Sequence, residues 1–107
     1  MTDTLRPKLP DPLTIPPQAV REWTQIPLGQ TLSVDITRST IDHLFFALRR
    51  MAESQATFQQ CLINYSHGQL ERADDLLTQS QVTLRESENH LTQFVTDIML
   101  SATRGRK

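Results

Sequence analysis

An apolar side chain returns every seventh residue over most of the chain from Ile41 to Ile98, and that spacing dictates helices that pack on helices. Leu70, Leu77, Leu84, Leu91 and Ile98 fall in one column of the repeat. Ile41, Leu44, Leu48, Met51, Phe58, Leu62 and Tyr65 keep the same spacing ahead of it. Such a stripe faces one way on an α-helix and needs another helix to cover it. Between the two halves lies Tyr65-Ser66-His67-Gly68-Gln69, a helix stop with glycine where a C-terminal cap wants it. The pattern predicts an all-α chain built on a long, coiled-coil-like antiparallel two-helix hairpin.

Helix boundaries follow from local chemistry. The first long helix is expected to start near Ser39, with Asp42 three residues on as a loose capping box, and to end at Tyr65 or Ser66. It is then roughly 40 Å long at 1.5 Å per residue. The second is expected to run from Gln69 or Leu70 to about Leu100, with Glu71, Asp74 and Asp75 favourably placed at its positive end. With Ile41 and Leu70 each set at the first core position, large side chains of one helix face Ala73, Ser80, Ser87 and Phe94 of the other. On that register Gln55 lies opposite the region of Ser80, as a polar pair fixing alignment or at the wet edge of the seam.

Five of the six prolines (Pro7, Pro10, Pro12, Pro16 and Pro17) fall before residue 18, which makes 1–17 an extended, flexible segment. Residues 18–37 form an N-terminal arm expected to pack on the hairpin. Gln18 to Gln25 suits a short helical stretch closed by Pro27, and Leu32, Val34 and Ile36 alternate as in an extended segment. The hairpin itself takes 38–101, and 102–107 is a tail with Arg104, Arg106 and Lys107.

Around the turn, Tyr65-x-x-Gly68-x-Leu70-x-x-Ala73-x-x-x-Leu77-x-x-Ser80 resembles the turn and second helix of a tetratricopeptide repeat. Upstream, Thr57, Gln60 and Cys61 stand where that family has an aromatic residue, a leucine and a small residue. The helices are about twice the family's length and no second repeat follows. The likeness therefore implies a tight helix–helix turn and not membership of a repeat array.

Composition narrows the function. A single seam, in a chain with 6 % aromatic residues, sets little burial against roughly 1.5 kcal/mol of ordering entropy per residue. Something else must therefore cover the hairpin. Phe45, Phe46, Val95, Met99 and Leu100 are left over from the seam at the open end, and are the candidate partner-binding residues. Either the arm folds back over them or a partner does, and a second copy would produce a four-helix bundle.

The lone Cys61 allows no internal disulfide and reads as a structural thiol. His43, His67 and His90 form no metal-ligating or nucleophile motif, and Glu86 with His90 lacks the spacing and the repeat of a two-iron bundle. No catalytic residue, cofactor or metal is expected. Neither a membrane span nor a secretory signal is legible, so the expected compartment is the cytoplasm.

Two functions remain. The first is a small non-enzymatic interaction or assembly module, whose partner is itself or another protein. The alternative is a dimeric, nucleic-acid-associated regulator using Arg38, Arg49, Arg50 and the tail. It is the weaker reading, because residues 69–101 carry six acidic side chains against Arg72 and Arg85.

Overall fold

The computed structural model describes residues 8–104 and contains three helices: α1 (Pro17–Thr24), α2 (Arg38–Ser66) and α3 (Leu70–Arg104). The two long helices, of 29 and 35 residues, lie antiparallel and give a rod 60 × 26 × 24 Å in extent. Among the described residues there is no strand. The described residues thus form three helices, a short one added to the hairpin. Residues 1–7 of the proline-rich segment, and Gly105, Arg106 and Lys107 of the tail, lie outside the described residues.

Local chemistry sets each boundary. Pro17 opens α1 at the position where a missing N–H costs nothing. The first turn of α2 is capped two residues earlier than the Ser39 expectation, by Thr37, whose hydroxyl accepts from the Thr40 N–H at 3.4 Å. At the other end, Gly68 takes φ +76, the left-handed conformation that glycine enters without steric cost. Its N–H donates to the Tyr65 carbonyl at 3.0 Å, and the Gln69 N–H donates to the Asn64 carbonyl at 2.9 Å. That pair of bonds is a Schellman cap, and α3 begins one residue later. The second long helix continues past Leu100 to Arg104, taking Ala102 and Thr103 into its buried side.

The seam differs from the one the leucines suggest. On α2 the buried residues are Thr40, Ala47, Ser54, Cys61 and Asn64, and those on the facing half of α3 include Ala73, Leu76, Ser80 and Ser87. Small side chains thus meet small side chains, which lets the two backbones approach until hydroxyls reach across. Ser54 Oγ donates to the Ser80 carbonyl at 2.8 Å and Ser80 Oγ donates to the Ser54 carbonyl at 3.2 Å. Ser87 Oγ donates to the Ala47 carbonyl at 2.7 Å, and Cys61 Sγ to the Ala73 carbonyl at 3.1 Å. A helical carbonyl has a second lone pair free after its own i+4 bond, so these contacts cost the helices nothing. Among the described residues no buried side-chain polar atom lacks a partner.

Gln55, in consequence, is exposed, and its neighbour Ser54 makes the polar pair with Ser80. A large residue in place of Ala47, Ser54, Ser80 or Ser87 could not enter the seam without forcing the helices apart.

The arm packs in cis. Among the described residues α1 contacts α3 and not α2. Before it, Asn89 clamps the proline segment, accepting from the Leu13 N–H at 2.9 Å and donating to the Asp11 carbonyl at 3.0 Å. Arg85 donates to the Pro10 carbonyl at 2.9 Å. After α1, the Asp35 N–H donates to Ser101 Oγ at 2.7 Å. The Leu32–Ile36 stretch lies along the helix end as irregular chain, with Leu32 and Val34 half-buried. It has no second strand to pair with, so its alternation does not produce a sheet.

Candidate interaction surface

Two flanks border the seam, and one contact fixes which residues belong to each. Ala47 and Ser87 face each other across it. His43 lies four residues before Ala47 and His90 three after Ser87, and their Nδ1 atoms meet at 3.0 Å. Both histidines therefore project to the same flank. Leu44 is three before Ala47 and Leu91 four after Ser87, and on a helix such positions fall to the other side of the starting residue. Leu44 and Leu91 accordingly share the opposite flank. Adding sevens extends that flank along the whole rod: Leu44, Met51, Phe58 and Tyr65 on α2, and Leu70, Leu77, Leu84, Leu91 and Ile98 on α3. Leu48 and Leu62 lie beside them on α2.

This is the leucine stripe of the sequence, and it lies outside the seam. Met51, Phe58, Leu84 and Leu91 are 38–42 % exposed, and Leu48, Leu62, Tyr65 and Leu70 are 53–67 % exposed. Leu77 is half-buried against Cys61, Ala73 and Leu76. No charged residue interrupts the α2 edge of the stripe, where Gln55 is the one polar residue; on α3, Asp74 and Glu88 border the leucine column. Apolar patches of this length are rare on monomeric surfaces and mark contacts.

The histidine flank is polar. One imidazole Nδ1 must donate and the other accept, so the contact needs at least one neutral ring. The rings stand 5.2 Å apart, and Phe46 lies 5.4 Å from His90. Burial holds His90 below the usual histidine range, with His43 and Arg50 lowering it further and Glu86 opposing them. Nearby, Thr40 Oγ1 donates to Asp97 Oδ2 at 2.9 Å. Among the described residues no group of three or more His, Cys, Asp or Glu side chains is placed to hold a metal ion.

The five residues expected to bind a partner are not brought together. Phe45, 60 % exposed, projects from the outer side of α2, next to the leucine flank. Phe46 stands on the histidine flank. Met99 is buried and Val95 half-buried on α3, the helix that carries the arm, so Met99 is not presented to solvent; Leu100 is 40 % exposed. The open-end cluster is thus divided among three surfaces. What the sequence reasoning missed was the larger feature, the leucine flank. The available signal was the second heptad column of small residues, Thr40-Ala47-Ser54-Cys61 against Ala73-Ser80-Ser87.

No protein-family model matches the chain, and neither a curated protein nor a solved structure matches it. Among the described residues no helix is long and apolar enough to cross a membrane.

Proposed function

We propose that this chain is a small, non-enzymatic protein–protein interaction and assembly module, an adaptor, accessory chaperone or structural subunit that works through the leucine flank of its hairpin in the cytoplasm. The observation that carries the reading is the division of labour between the two heptad columns. Small residues line most of the seam, with Leu76 buried beside them, which leaves Leu48, Met51, Phe58 and Leu62 of α2 and Leu70, Leu84 and Leu91 of α3 exposed for something else. Covering the exposed part of each such side chain gains about 1 kcal/mol, so a helix or helix pair laid along the flank has enough apolar area to bind. The rigid hairpin pre-organises both columns, which spares the ordering cost that a flexible site has to meet.

A nucleic-acid role draws no support from the basic side chains. Arg49 Nε lies 3.5 Å from Glu53 Oε1 and Arg50 Nη1 lies 2.9 Å from Glu53 Oε2, so one carboxylate engages both. Arg38 is drawn to Asp42 at 3.7 Å.

The test is the paired variant Leu48→Glu, Leu84→Glu, both on the exposed flank. It is expected to keep the wild-type helical content and to lose association, read as self-association by light scattering or as binding of the apolar dye bis-ANS. Association or dye binding unchanged from wild type would overturn the proposal.

A further inference from the structure

We infer that the occupant of the leucine flank is a second copy of this chain, docked flank to flank with the two α2 helices antiparallel about a two-fold axis near Gln55. The inference rests on the reading of that flank as an interaction surface. Three observations favour a second copy over a different protein.

Gln55 comes first. It is the one polar residue in the α2 edge of the stripe, exposed, with Ile41, Leu44, Leu48 and Met51 before it and Phe58, Leu62 and Tyr65 after it. It therefore stands close to the stripe's midpoint. In a two-fold interface a residue near the axis meets its own copy. A carboxamide is both donor and acceptor, so two glutamines satisfy each other there, and a single polar pair in an apolar helix seam fixes register. A different partner would have to supply a matching polar group at that same point.

Charge is the second. The α2 edge of the flank, Ile41 to Tyr65, carries no ionised side chain, so pairing α2 with α2 brings no like charges together; Asp74 and Glu88 lie on the α3 edge, where Glu88 is paired with Arg85 at 3.2 Å. The turn end of one copy then overlies the open end of the other, placing Leu62 and Tyr65 beside the partner copy's Leu44 and Leu48.

Size is the third. Leu44 to Tyr65 spans roughly 32 Å, and two helices side by side are roughly 20 Å wide. A flat contact of that outline covers on the order of 600 Å² per copy, or about 1,200 Å² in total, which reaches the lower limit of stable specific interfaces. Although α1 packs on α3, Leu70, Leu84 and Leu91 of that helix remain 40–59 % exposed, and Leu48, Met51, Phe58 and Leu62 of α2 remain 38–56 % exposed. Among the described residues no other segment is placed to cover them.

The experiment measures absolute mass by light scattering on the full chain, together with disulfide crosslinking of two single-cysteine variants. Both carry Cys61→Ala; one adds Gln55→Cys and the other adds Gln79→Cys, an exposed position on the histidine side of α3. The expected result is a mass twice the 12.3 kDa of the chain, with rapid crosslinking through position 55 and none through 79. A dimer that crosslinks at 79 and not at 55 would overturn the arrangement. A monomer at the highest soluble concentration that binds bis-ANS, and loses the dye with Leu48→Glu, Leu84→Glu, overturns self-pairing and leaves the interaction surface standing. A monomer that binds no dye overturns both.

Discussion

Ser54 and Ser80 each hydrogen-bond the other's backbone across the hairpin, at 2.8 and 3.2 Å, with their hydroxyl oxygens 3.2 Å apart. Reciprocal contacts of this kind exist only where two helices run unusually close. They define a seam in which side-chain size matters more than hydrophobicity.

Ser87 tests that point, since it is 1 % exposed and bonds the Ala47 carbonyl. Ser87→Ala removes one hydrogen bond and leaves every helical carbonyl paired, so a loss of about 0.5–1 kcal/mol is expected. Ser87→Leu adds apolar volume and should nonetheless cost more, about 1–3 kcal/mol, because the helices must part. Urea unfolding of the two variants measures the order, and a more stable leucine variant would contradict the packing.

Gly68 predicts a purely conformational penalty. A Cβ added there meets nothing within 4 Å, yet the backbone φ is +76. Gly68→Ala should lower stability by about 1–2 kcal/mol through left-handed strain alone. Gly68→Asn should recover part of that loss, since asparagine tolerates the cap position better. Equal melting of wild type and Gly68→Ala would exclude the cap as a determinant of the turn.

His90 makes stability depend on pH. Its folded-state pKa is depressed, chiefly by burial and then by His43 and Arg50, with Glu86 opposing. The unfolded chain takes up this proton near pH ~6.5, while the folded chain takes it up only at lower pH. Within that window the unfolded state binds more protons, so stability is full above it, falls as the pH drops through it and levels off below. Thermal melts from neutral pH downward should show this fall for the wild type and a shallower one for His90→Gln. Identical slopes would remove His90 from the account.

The arm should be separable from the hairpin. Asn89 holds both Leu13 and Asp11, so Asn89→Ala removes two anchors of the proline segment at once. Faster proteolysis within residues 10–17 is expected, with the helical content of α2 and α3 unchanged. Loss of helix in step with cleavage would mean that the arm is part of one cooperative core.

The hairpin, its turn at Gly68 and the short helix after Pro17 were all legible in the sequence, because each rests on local chemistry. The identity of the seam was not. A seven-residue period fixes how two helices wind, but several columns share that period, and the most hydrophobic column is not always the buried one. Here Leu48 and Leu62 stay exposed because Ala47, Ser54 and Cys61 allow a closer approach than leucine would. Of the two places open to Gln55, the structure gives the wet edge, and the polar pair with Ser80 is made one residue earlier, by Ser54. The open-end residues do not form one cluster, because Met99 is buried on the helix that carries the arm, while Phe45 and Phe46 point to different sides of α2.

The measurement that bears most directly on this division of columns compares Leu48→Glu with Ser54→Glu by circular dichroism, one position 56 % exposed and the other buried. The account predicts that Leu48→Glu remains fully helical and that Ser54→Glu loses most of its helix. The reverse order, with glutamate tolerated at 54 and ruinous at 48, would show that the leucines close the hairpin and that no free flank exists.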